Sequence, residues 1–82
     1  MAWVYILKSS NFKKTYTGST TDLERRLNEH NSGSHRYTKR YLPWNVVYSE
    51  QVAELSVARA RERYLKSAAG RRFIKRQNII PG

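Results

Sequence analysis

The chain has 82 residues, with sixteen Lys and Arg against six Asp and Glu, so it reads as one small domain carrying a net charge of +10. The absence of cysteine excludes disulfides, a thiolate metal site and a cysteine nucleophile, and no apolar run approaches the roughly 18 residues of a membrane span. A domain this short buries only ~60–65% of the surface its unfolded chain exposes, and charge this lopsided favours a polyanionic partner, nucleic acid first.

Met1 to Leu7 lacks the basic region and length of a signal peptide. Its Trp3, Val4, Tyr5 and Ile6 suit a first strand in a cytoplasmic protein, and the missing cysteines fit a reducing compartment. Ser9 to Lys14 is polar and turn-like, and Thr15 to Gly18 is strand-like again, so the two runs predict a hairpin. Thr21-Asp22-Leu23-Glu24 predicts a helix start, with Thr21 as N-cap, Glu24 closing a capping box and Asp22 adding charge at the positive helix end. That helix runs to His30, and Asn31-Ser32-Gly33 stops it. Ser34 to Pro43 is a basic, aromatic loop, and Trp44 to Tyr48 predicts a third strand. Glu54 to about Ala68 is a second helix, and Arg71 to about Gln77 a short third one after Gly70. The order is β-β-α-β-α-α, an α/β chain of the α+β kind, over a single domain spanning residues 1–82.

Polar residues fall where apolar ones belong. Leu23 and Leu27 define the buried stripe of the first helix, and Arg26 and His30 lie on its edge. Either they pair and snorkel, or they line a cleft over the sheet. In the second helix Leu55, Ala58 and Leu65 make the stripe, and Glu62 sits on it. Glu62 is also the only acid from Ser56 to the end, among eight basic residues that include Lys66. It forms a helix ion pair with Lys66 or Arg59, or it holds one Mg²⁺ against a phosphate, since that ion takes oxygen ligands and commonly uses one or two carboxylates plus water and phosphate.

In order, Val4-Tyr5-Ile6, Tyr16-Thr17-Gly18, Arg26 with His30, Asn31-Ser32-Gly33, Pro43-Trp44 and Glu62 resemble the GIY-YIG nuclease family, in its small stand-alone bacterial form. The resemblance covers nearly the whole chain. It departs at Val4, where the first motif has Gly, at Thr17 in place of Ile, and at Ser19 where some members carry Lys. Asn78 lies near the position of the family's late Asn.

The resemblance implies a small three-stranded antiparallel sheet flanked by helices. It also implies a metal-dependent endonuclease, acting on DNA with structural preference or low sequence specificity, as in repair. Tyr16 would be the general base. A tyrosine hydroxyl ordinarily titrates near ~10, so this role needs a nearby cation or metal ion. Tyr5 would orient the nucleophile or share that role. Arg26 would stabilise the scissile phosphate, and His30 would relay a proton or hydrogen-bond one of the tyrosines. Glu62 would hold Mg²⁺ or Mn²⁺. Gly18 would let substrate approach the backbone. Arg36, Lys39, Arg40 and Lys66 would contact phosphates without reading bases, and Tyr37 and Tyr41 could stack on unpaired bases or pack on the loop. One small domain leaves little room for sequence readout, so structural preference or weak specificity is expected, or a protein partner that supplies targeting. The rival readings are a catalytically silent binding module of the same fold and an RNA- or ribosome-associated basic protein.

Overall fold

The computed structural model describes residues 1–79. Strand β1 (Ala2–Ser9) runs through the middle of a three-stranded antiparallel sheet in the order β2-β1-β3, between β2 (Thr15–Thr20) and β3 (Trp44–Val52). The predicted hairpin is present, with Tyr5 opposite Gly18 and Leu7 opposite Tyr16. Helix α1 (Leu23–Asn31) lies between the hairpin and β3, and α2 (Leu55–Lys66) and α3 (Ala68–Arg76) follow β3.

The sheet is covered on both faces, which is why β1 is almost continuously apolar. Val4 and Ile6 meet Leu65 of α2 together with Phe73 and Ile74 of α3. Tyr5 and Leu7 point the other way, to Trp44 and the Leu23 and Leu27 stripe of α1. A register shift between Ile6 and Leu7 leaves Val47 as the extra residue on β3, so Val47 and Tyr48 both pack on the α2 side.

Several boundaries differ from expectation. Asp22, not Thr21, caps α1: its carboxylate accepts from the Arg25 N–H at 3.1 Å. The loop before β3 contains a 3-10 turn, Thr38–Tyr41, that its basic, aromatic composition did not announce. β3 continues past Tyr48 to Val52, because Glu50 and Val52 keep pairing with β1. Gly70 does not separate the last two helices. The break is at Ser67, whose hydroxyl caps α3 by accepting from the Gly70 N–H at 3.2 Å. Gly70 is needed for another reason: a Cβ there would stand 2.0 Å from the Tyr64 carbonyl oxygen and 2.4 Å from Leu65 Cα.

Candidate active site

The site begins with a register. Placing Tyr5 opposite Gly18 lets the Tyr5 ring lie across the bare backbone of β2, where a Cβ would stand 2.6 Å from the Tyr5 hydroxyl and 2.9 Å from the Tyr16 ring. The space expected to admit substrate at Gly18 is therefore filled by the two tyrosines. Their ring centroids are 6.3 Å apart.

His30 reaches this pair from α1. It is fully buried, with Nε2 3.0 Å from the Tyr5 hydroxyl and Nδ1 2.9 Å from Thr38 Oγ1. The Arg26 guanidinium also faces the Tyr5 oxygen. Thr38, also buried, is pinned in turn: its carbonyl accepts from Trp44 Nε1 at 2.8 Å. Asn31 closes the frame by bonding both backbone groups of Trp44. The loop that looked like a phosphate-binding segment thus also supplies an inner wall.

Burial sets the charge states here. It pushes the Tyr5 hydroxyl up to about 12 against the opposing influence of Arg26, and pushes His30 down to about 4, helped by the Arg26 charge. At neutral pH Tyr5 holds its proton and His30 is uncharged. Contact with Tyr5 outweighs burial at Arg26, and Glu29 adds to it, so the guanidinium stays charged more firmly than usual.

A depressed histidine has a definite consequence for stability. The unfolded chain protonates His30 near ~6.5, whereas the fold resists until about 4. The unfolded state therefore binds more protons across that interval, and stability present above pH 6.5 is lost as pH falls toward 4. Ring-proton NMR should show His30 titrating well below the free value, with Tm falling over the same window. A midpoint near the free value would remove the buried-neutral assignment.

Tyr16 is less enclosed. It packs on His30 and His35, with centroids at 4.8 and 5.2 Å, and its hydroxyl is 3.5 Å from His35 Nε2. His35 was missed in the sequence because it sits in the loop, where only its histidine identity marked it. Its Nδ1 accepts from the Thr38 N–H at 3.5 Å, which directs its other nitrogen to Tyr16.

Glu62 approaches from the opposite face of the sheet. β2 is an edge strand with only Gly18 and the small Ser19 at this point, so groups from both faces meet around it. One carboxylate oxygen accepts from Ser19 Oγ at 2.7 Å and the other from Lys66 Nζ at 2.7 Å. Both readings of Glu62 thus have a footing: it is turned to the sheet, and it is ion-paired. Lys66, expected on the nucleic-acid surface, is directed at Glu62 instead. The pair spans one helical turn and Lys66 is 55% exposed, so it is worth only about 0.3–0.5 kcal/mol and yields easily to a stronger cation. Among the described residues no group of three or more His, Cys, Asp or Glu side chains gathers around a metal position. A lone carboxylate still suits Mg²⁺, which keeps most of its ligands as water and substrate phosphate oxygens.

Two grooves flank this edge. One, about 630 Å³, is lined by Tyr16, Tyr37, Lys66 and Arg71 among others. The other, about 340 Å³, is lined by Ser19, Arg25, Arg26 and Arg59 among others. Arg36, Lys39 and Arg40 are exposed on the loop, and none of them is in an ion pair among the described residues. Asn78 is exposed in the left-handed conformation (φ +54°) just past α3.

The GIY-YIG catalytic domain model matches residues 1–78. A UPF0213 protein of Syntrophus aciditrophicus is 46% identical over 66 residues, covering 78% of this chain and 75% of the relative. One of Haloquadratum walsbyi is 42% identical over 66 residues, covering 79% and 73%. The solution NMR structure of a UPF0213 protein from Bacillus halodurans matches with a TM-score of 0.55 at 29% identity, covering 99% of this chain and 89% of that one.

Proposed function

The chain belongs to the GIY-YIG family, a family of nucleases, and on that footing we propose that it is a divalent-metal-dependent endonuclease acting as one domain on the phosphodiester backbone of DNA. The observation that carries this reading is the convergence of Tyr5, Tyr16, Arg26 and His30 over one face of β1 and β2, with Glu62 bonded to Ser19 of β2 from the other face.

Roles follow from environment. Tyr5 keeps its proton, so it positions rather than accepts. Tyr16, half-buried on a groove, would take the proton of an attacking water as the phenolate, its own proton having first gone to solvent and its oxygen accepting from His35 Nε2. Neutral His30 holds Tyr5 in place through a bond whose other end is anchored on Thr38. Arg26 offers a guanidinium to the non-bridging oxygens of the scissile phosphate, where negative charge grows as the water adds. Glu62 would hold Mg²⁺ or Mn²⁺ once Lys66 lets go, and the ion would supply charge stabilisation to the leaving oxygen. Arg36, Lys39 and Arg40 give backbone contacts that do not depend on sequence. Cutting would then follow DNA structure more than sequence, in the cytoplasm, with a partner protein directing it to lesions or junctions in repair.

The Glu62–Lys66 contact is the one feature that favours a silent binding module, since it occupies the carboxylate. Its small worth weighs against that reading. Supercoiled plasmid incubated with the protein should be nicked with Mg²⁺ or Mn²⁺ and left intact with EDTA. Binding without any nicking in either metal would overturn the enzyme reading.

A further inference from the structure

Beyond the catalytic cluster, a row of aromatic rings leads away from Tyr16 to the surface. Tyr16 and Tyr37 have centroids 6.2 Å apart, Tyr37 and Tyr41 5.5 Å, and Tyr41 and Phe12 5.4 Å. The rings come from two separate segments: Phe12 from the β1–β2 turn, Tyr37 and Tyr41 from the loop and its 3-10 turn. Tyr41 is the inner member, packed against Trp44. Phe12 and Tyr37 flank it and remain 47% and 44% exposed. An exposed phenylalanine at a turn gains little for the core.

Cations accompany the row. Lys14 Nζ lies 5.5 Å from the Tyr41 ring centroid. Lys13 is exposed beside Phe12 in sequence, and Arg36 beside Tyr37. Exposed rings interleaved with phosphate-binding charge form the pattern that binds single strands, where each base offers a flat face and the backbone runs along the cations. Duplex bases are stacked on one another ~3.4 Å apart along each strand and have no free faces to give.

We propose that Phe12 and Tyr37 form a stacking ledge for unpaired nucleotides, so that the nuclease substrate is a single-stranded segment or flap whose bases rest on the ledge while its backbone passes Tyr16. The direction toward Tyr16 rests on the nuclease reading; the ledge itself does not. Unpaired bases stack on Phe12 and Tyr37, and the neighbouring cations hold the phosphates. The preference is for an open strand, without regard to base identity.

The test is binding in EDTA, which needs no cutting. The probes are fluorescein-labelled oligothymidylate of about 12 nucleotides, within the span of one small single-strand site, its oligouridylate counterpart, and a duplex of equal length. Phe12→Ala and Tyr37→Ala should each weaken single-strand binding by roughly tenfold and duplex binding by less than about twofold. Phe12→Leu and Tyr37→Leu keep apolar packing but remove the ring, and should show the same selective loss if the alanine variants disturb the loop. Tyr37→Phe should bind like the parent. The thymidylate and uridylate arms distinguish DNA from RNA as the strand bound. Equal losses on single strand and duplex, or no loss on single strand, would overturn the ledge. Failure to nick in either Mg²⁺ or Mn²⁺ with selective loss intact would overturn the nuclease reading and leave the ledge standing.

Discussion

Glu62→Gln should lower the metal-dependent cutting rate by on the order of 10³-fold, about 4 kcal/mol of transition-state stabilisation, while leaving the fold unchanged. The substitution preserves shape, and the amide oxygen can still accept from Ser19 Oγ, which now lies 2.7 Å from the carboxylate. What disappears is the negative charge that makes the position a ligand for a divalent ion. It also removes the partner of Lys66, whose ammonium is 2.7 Å from Glu62. That ammonium then becomes available to phosphate, so metal-free DNA binding should stay equal or tighten. The two readouts move in opposite directions, which no general loss of structure would produce. Single-turnover cutting in Mg²⁺ and binding in EDTA, on one plasmid substrate, give both. Undiminished cutting by this variant would take Glu62 out of the metal site.

Arg26→Lys should slow cutting by ~10²-fold or more, about 2.7 kcal/mol, the scale of losing one donor to a developing oxyanion. Arg25→Lys should change the rate by less than roughly threefold, as at a surface position that keeps its charge. The two arginines are adjacent and both reach Glu29, yet the Arg26 side chain is 33% exposed and that of Arg25 76%. One residue of helix turns a side chain by ~100°, which carries Arg26 toward the sheet and Arg25 into solvent. Arg26 contacts Glu29 at 3.0 Å and faces the Tyr5 oxygen at the same time. A planar guanidinium can serve both with donors left for phosphate, whereas an ammonium is a single point on a flexible stem. Equal single-turnover rates in the two variants would mean that the helix face has been assigned wrongly, and the site with it.

The order of elements was readable because each depends on local pattern. β-branched and aromatic runs marked the three strands, and four-residue spacing of Leu23 and Leu27 oriented α1 well enough to separate Arg26 from Arg25. The boundaries that failed did so for want of partners. Thr21 and Asp22 are both good caps, and only the path of the chain out of β2 chooses between them. Gly70 resembles a helix break in isolation, but its missing side chain answers to the Tyr64 carbonyl packed against it.

The sequence by itself determined the family, the β-β-α-β-α-α order and the excess of positive charge, since the spacing of residues along the chain carries all three. Tertiary structure alone decided which groups meet. Pairing Tyr5 with Gly18 is a matter of strand register, and burying His30 between Tyr5 and Thr38 depends on a loop eight residues further on. Bringing Glu62 to Ser19 joins positions 43 residues apart in the chain. Burial then did what no residue type does alone: it left Tyr5 protonated and His30 neutral, because charge is costly where water is absent.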